Sequence, residues 1–284
     1  MHCGSCGSRA SSCPMPSNPA RIQARRNALA IIAYALTMTC VVWAVLRGAE
    51  AMGYNWQWFR VPRYLIDPDG SPGPLLRGAG VTIFISAFGL IGASVLALGA
   101  ALLRLSGSIV GQALARIYLE LIRNTPLLVQ IFFIYFVLAP MIGLGRMEAA
   151  ILSLSLFEGA YASEIIRAGI LAIPKGQWEG ALSLGMTRLD IYRLVILPQA
   201  LRNVLPPLTS QGVALIKDSA LVSTIAIFDL TMHGQAIVAE TFLSFEIWFT
   251  VAGIYLVLAT TLSVLARRLE RRTKTVCMED TCRD

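Results

Sequence analysis

Apolar and charged residues are segregated along this chain on the scale of a bilayer rather than of a soluble core. Residues 27–46, 78–103, 124–145 and 247–266 each run without an Asp, Glu, Lys or Arg for roughly 20 positions or more, the length a helix needs to cross a hydrocarbon layer about 30 Å thick. Two further stretches are apolar but carry interior charges: 147–173, with Glu158, Glu164 and Arg167, and 205–228, with Lys217 and Asp218. Such charges require a protein-lined or watered interior. The pattern predicts an all-α integral membrane protein of about six transmembrane helices.

Composition agrees, with 56% hydrophobic and 14% charged residues among 284 and a mean hydropathy of +0.64. The net charge of +7 raises the question of nucleic acid. The basic residues flank apolar spans instead of interleaving with exposed aromatics, so topology accounts for them and nucleic acid is excluded as a partner. With Arg9, Arg21, Arg25 and Arg26 inside, Arg104, Arg116, Lys175, Arg188, Arg193, Arg202 and the group from Arg267 to Lys274 fall on the same side. Both termini are then cytoplasmic.

Residues 1–26 read as a disordered cytoplasmic tail rich in Ser, Gly and Pro, and 273–284 as a second tail. Arg25 and Arg26 ahead of an apolar run resemble a signal peptide, but the run is longer than a cleavable one, which favours an uncleaved anchor. Cys3, Cys6 and Cys13 raise a zinc site; reduced thiols in a tail are the simpler reading, and no metal is expected. The outer segment 49–74 combines "WQWF" with the turn-rich "DPDGSPGP" and is expected on the bilayer surface. The second span carries Gly89, Gly92, Ala93, Ala97, Gly99, Ala100 and Ala101 near helical spacing, which permits close helix contact in lipid.

Between two spans lies "KGQWEGALSLGMTRLDIYRLVILPQA", residues 175–200, which holds charges of both signs. Pro174 cannot continue the preceding helix; a short helix should follow, stopped by Gly185, which accepts positive φ. Thr187 with Asp190 three residues on predicts the cap of a second helix, which Pro198 ends or bends. Trp178, Ala181, Leu182, Leu184, Leu189, Tyr192, Val195 and Ile196 give the pair apolar surface. Two such short helices are marginal in water, so something must pack on them.

Glu179 and Gly185, six apart, with Leu197 and Pro198 after them, resemble the loop of the permease subunits of ATP-binding-cassette (ABC) importers, with Gly180 in place of the first Ala, Ala181 as the second, and Val195 in place of Ile. "IRNTPLLVQIFFIYF" at 122–136, "GAYASEIIRAGILAIPKGQWEGA" at 159–181, "ILPQALRNVLPPL" and "LIKDSALVSTIAIFDL" look like the subfamily that imports polar amino acids, Asn124 standing where Gly is usual. The resemblance implies a five-helix permease core over 75–272 with the coupling loop at 174–198. It leaves 27–74 as an extra N-terminal helix and periplasmic loop. It also implies that Glu179, Gly180, Ala181, Gly185, Leu197 and Pro198 dock a separate cytoplasmic ATPase, that a periplasmic amino acid binding protein delivers substrate, and that the permease pairs with itself or a paralogue in a bacterial inner membrane.

Energy must come from elsewhere. None of the three lysines, Lys175, Lys217 and Lys274, sits in a phosphate-binding loop, so no cofactor is expected in this chain and ATP with Mg belongs to the partner. The two histidines and the lack of a Gly-x-Ser-x-Gly elbow argue against an enzyme and leave no catalytic residue. For the translocation path the candidates are Glu158, Lys217 and Asp218; the last two should break the helix that carries them. Glu164 and Arg167 form an i,i+3 pair that either lines the path or braces the helix above Pro174. The leading reading is an ATP-driven importer of a polar amino acid. A non-transporting membrane scaffold or sensor for the ATPase, and a secondary amino acid transporter, are the alternatives.

Overall fold

The computed structural model describes residues 19–51 and 53–281, which form two compact units divided between Trp56 and Gln57. The first holds α1 (Pro19–Ala51), whose apolar part is Leu29–Ala44. The helix thus starts ahead of the expected residue 27, so residues 19–26 are not a disordered tail; residues 1–18 lie outside the described residues. At the other end α12 (Ser244–Thr281) continues through most of the expected tail.

The second unit begins with a turn of 3₁₀ helix at Trp58–Arg60 and α2 (Pro62–Leu65). Trp58 rests against the ring of Phe249, and the Gln57 amide donates to Glu246 Oε1 at 2.6 Å. The Asp67 amide then donates to Ser71 O and the Gly73 amide to Leu65 O around a turn at Gly70 that delivers the chain to α3 (Pro74–Leu105). Proline at the first position of α3 and Ser106 past its end mark helix limits that the sequence signals well.

The apolar span expected over 124–145 is helical over 127–142, and at its start it meets a helix before it at a sharp angle. α4 (Ile109–Arg123), capped by Ser108 Oγ on the Gly111 amide, falls where the sequence pattern offered no element, only Arg116 as a topology marker. α5 (Leu127–Phe133) runs through a π turn into α6 (Ala139–Ile142). The two parts are bent by 107° across Asn124–Pro126, because proline denies the helix a donor and pushes its predecessor out of the helical region.

α7 (Arg146–Leu171), α8 (Lys175–Ser183), α9 (Arg188–Asp190), α10 (Leu197–Asp218) and α11 (Leu230–Thr241) complete the chain before α12. α3, α7 and the first part of α12, Ser244–Arg268, are long and apolar enough to cross a membrane, and the bent pair makes a fourth crossing if taken as one. With Leu29–Ala44 and the proline-bearing α10, the six apolar segments of the sequence are accounted for.

α3 lies along α7, and the contact is built from small residues: Gly89, Ala93, Ala97 and Ala101 are buried, and Gly92 faces Ser155. In lipid the apolar side chains gain little by leaving their solvent, so close packing of this kind holds helices together. Gly99, by contrast, has open space around it. Above the seam, Ile85, Ile131, Leu154 and Val222 form a sealed cluster joining α3, α5, α7 and the 3₁₀ turn Ser219–Ile225.

Candidate functional site

The 174–198 stretch folds largely as its residues dictate. Pro174 takes ψ 140 and cannot extend α7, and α8 starts at the next residue. The α8 terminus closes by Leu184 N to Gly180 O at 3.2 Å, Gly185 N to Leu182 O at 3.0 Å and Met186 N to Ala181 O at 3.3 Å, with Gly185 at φ +75. Those bonds satisfy carbonyls that would otherwise be orphaned, and they require a left-handed residue at 185. Thr187 Oγ1 then accepts from the Asp190 amide at 3.3 Å and donates to Asp190 Oδ2 at 2.5 Å, so Thr187 caps the helix and the shorter Asp reaches its hydroxyl, one half of a capping box.

Of the two courses open at Pro198, ending the helix or passing into the next span, the chain takes the second: from Arg188 the helix runs on through a π turn at Ile191–Ile196 into α10. The wider turn lies where Pro198 has no N–H to offer to the preceding turn.

The inner face of the loop is covered. Ile173, Ala181, Ile191, Ile196 and Ala200 are buried together, Trp178 meets Tyr192 edge-on at 4.9 Å, and Gln199 Nε2 donates to Gln177 Oε1 at 3.2 Å. The outer face is not: Leu182, Leu184 and Leu189 are 56%, 82% and 75% exposed, beside the exposed Glu179 and Gly180. A loop whose apolar residues divide in this way leaves an exposed apolar surface beside a packed one.

Deeper in the helices the charged candidates separate. Glu158 on α7 is 2% exposed; its Oε2 accepts from Gln211 Nε2 of α10 at 2.5 Å, and its Oε1 meets no hydrogen-bonding atom within reach among the described residues. Asp218 interacts with the same carboxyl. The group borders a cavity of about 180 Å³ between α3, α7 and α10, otherwise walled mainly by apolar residues such as Ala93, Leu208 and Leu215. Lys217 is exposed and turns to a different groove, of about 440 Å³, shared with Ser210, Ser263 and Arg267. Adjacent residues on a helix point about 100° apart, and no Lys217–Asp218 ion pair is present among the described residues. The backbone does change at this point: α10 stops at Asp218, tightens into the 3₁₀ turn and reaches Ala226 at φ +57.

Glu164 takes both Arg167, at 2.5 Å, and Arg104 of α3, so the i,i+3 pair is part of a cluster that clamps α3 to α7. Sequence reasoning missed Arg104, which reads as a topology marker, and Gln211, a lone amide in an apolar run whose isolation was the available signal. Beyond the helices that cross, Asp229 caps α11 through Met232 N at 2.8 Å, and burial raises its carboxyl above the usual range. Burial, with the Arg77 guanidinium second, holds His233 below its ordinary value, which keeps the imidazole neutral at pH 7.

Comparison with known proteins adds to this geometry. Residues 89–275 match the family described as binding-protein-dependent transport system inner membrane component. The chain is 43% identical over 204 residues to the glutamine transport system permease protein of Escherichia coli (strain K12), covering 70% of this chain and 93% of that one. It is 39% identical over 203 residues to the L-cystine transport system permease protein of Bacillus subtilis (strain 168), covering 70% and 86%. Among solved structures it superposes on a chain from a crystal structure of an amino acid ABC transporter with histidines, with a TM-score of 0.69 and 34% identity over 77% of this chain and all of the other.

Proposed function

Since the chain belongs to the family of inner membrane components of binding-protein-dependent transport systems, we propose that it is the permease subunit of an ATP-driven importer that carries a polar amino acid into the cytoplasm. The observation that carries this reading is the loop 174–198, rigid on its inner face and apolar on its outer one. A separate ATPase would dock there, with Glu179 and Gly180 at the contact and Gly185 setting the angle between the helices. A binding protein would deliver substrate from the periplasm. The permease would pair with a second copy or a paralogue, both its termini facing the cytoplasm.

Glu158 and Asp218 supply the polar interior that a path for a charged or polar solute needs. Lys217 lies on a separate groove and would act, if at all, from there. Motion at the loop would open and close the path by favouring one of two helix arrangements.

The test is purification of the tagged chain from native membranes in mild detergent, with the co-eluting proteins identified by mass spectrometry. An ATP-binding subunit is expected with the wild type, and Glu179→Lys, which reverses an exposed charge at the docking face without touching the buried cluster, is expected to lose it. Absence of any ATPase from the wild-type preparation in several detergents would overturn the reading.

A further inference from the structure

Two positive charges open on one groove that holds no carboxylate. Lys217 and Arg267 border the space of about 440 Å³ between α10 and α12, and none of its lining residues is Asp or Glu. Among the described residues neither cation takes part in an ion pair. Asp218, next to Lys217 in the chain, interacts with Glu158 of α7 instead. The arrangement is regular: Pro206, Ser210, Val213 and Lys217 stand on one face of α10, and Ser263 and Arg267, four apart on α12, line the same space.

The hydroxyls along this groove are already engaged. Thr209 Oγ1 and Ser210 Oγ donate to Pro206 O at 2.8 and 3.2 Å, and Ser263 Oγ donates to Ala259 O at 2.7 Å. The donors left for a ligand are those of the ammonium and the guanidinium, and the partner they select is an anion with several acceptor oxygens.

The place of the groove narrows the choice of anion. Arg267 is the last residue but one of the apolar crossing Ser244–Arg268, the level at which a spanning helix meets the headgroups. That crossing is exposed along nearly all of its length, and beside the groove Val264 and Leu265 are 39% and 52% exposed, so hydrocarbon adjoins it. Lys217 can keep its ammonium among polar groups while its stem lies on apolar surface, which Val213, one turn back, provides in the same groove. A soluble anion would meet the two charges and leave the apolar flank bare. A phospholipid covers both, its phosphate on the cations and its chains along Val264 and Leu265.

We propose that the groove between α10 and α12 binds the anionic phosphodiester headgroup of a membrane phospholipid, of the phosphatidylglycerol type, in the leaflet at the C-terminal end of the α12 crossing. Basic pockets between membrane helices hold such headgroups by charge. A zwitterionic lipid brings its own cation beside the phosphate, which Lys217 and Arg267 repel. A lipid seated here bridges α10 and α12, and so bears on the helix that carries Gln211.

The experiment uses the full chain, purified from native membranes in mild detergent with whatever subunits accompany it. Dioleoylphosphatidylglycerol or dioleoylphosphatidylcholine is added, and bound lipid is counted by native mass spectrometry. The wild type is expected to hold the anionic lipid at least tenfold more tightly. Loss of one charge-assisted contact weakens binding by about tenfold, so Lys217→Gln and Arg267→Gln should each lose about that factor for phosphatidylglycerol and almost nothing for phosphatidylcholine. Arg267→Lys, which keeps the charge, should retain most of the binding. Arg268→Gln removes a neighbouring charge that does not line the groove and should bind as the wild type does. If Lys217→Gln is not recovered intact, Arg267→Gln and Arg268→Gln decide by the same readout. Equal retention of both lipids by the wild type, unchanged binding in Arg267→Gln, or an equal loss in Arg268→Gln would overturn the site. Displacement of the lipid by millimolar inorganic phosphate would assign the groove to a free anion and overturn the lipid. None of these readouts depends on the solute carried, so the site and the importer reading fail separately.

Discussion

Gly92→Leu is expected to remove most of the folded protein from the membrane. A Cβ on residue 92 would stand 2.3 Å from Ser155 Oγ and 2.9 Å from Ser155 Cβ, so rotating the serine cannot make room. Ser155 is itself buried, with its hydroxyl donated to Gly89 O at 3.3 Å across the same seam. Overpacking of this kind costs about 1–3 kcal/mol in a soluble core. Here a whole leucine must enter a seam whose close approach is itself the source of stability. The measurement is the amount of monodisperse protein recovered from membranes, read by fluorescence-detected size exclusion with a melting curve. Gly92→Ala should show a smaller loss, and Ser155→Gly combined with it should restore the yield, because it removes the atoms that clash. A normal yield for Gly92→Leu, or no rescue of Gly92→Ala, would refute the seam as described.

Gly185→Val should insert normally and yet lose ATP-driven uptake by more than tenfold. Residue 185 adopts φ +75, with nothing within 4 Å of where a side chain would go. Space is not the obstacle; a β-branched residue at positive φ is strained, by roughly 1–3 kcal/mol. Helices as short as α8 have little stability of their own, so the turn between α8 and α9 would open and the outer face would lose its shape. Gly185→Asn tolerates this conformation better and should keep much of the activity. Uptake in reconstituted liposomes, beside membrane abundance of each variant, checks both expectations; full uptake with valine would mean that this turn does not set the docking geometry.

Much of this architecture is legible in the residues. Long uncharged runs announce α3 and α12, and Pro174, Gly185 and the Thr187–Asp190 cap describe the loop almost residue by residue, because backbone chemistry acts locally. The errors share a cause. α4 escaped notice because Arg116, Glu120 and Arg123 interrupt its apolar positions, and charge was read as the end of a span. The bend at Asn124–Pro126 falls at the very start of an apolar run, where composition marks a boundary but carries no directional information. Pro198 left open whether the helix stops or passes on, and the π turn upstream lets it pass.

For the candidate site, sequence supplied the charged residues but not their partners. Glu164 with Arg167 follows from spacing; Arg104 joins them from 60 residues away, a distance no periodicity reports. Glu158 and Gln211, 53 residues apart, meet only because α7 and α10 lie side by side.

The unbroken helical path from Arg188 to Asp218 makes that meeting point the far end of a lever. At 1.5 Å per residue, Gln211 lies about 35 Å from Arg188, so a tilt of about 5° pivoting at the loop displaces it by about 3 Å. That exceeds the length of the 2.5 Å bond it donates to Glu158. A small torque applied at the cytoplasmic end is thereby magnified into the making or breaking of one buried polar contact, and the stiffness of the rod between them decides how faithfully the stroke arrives.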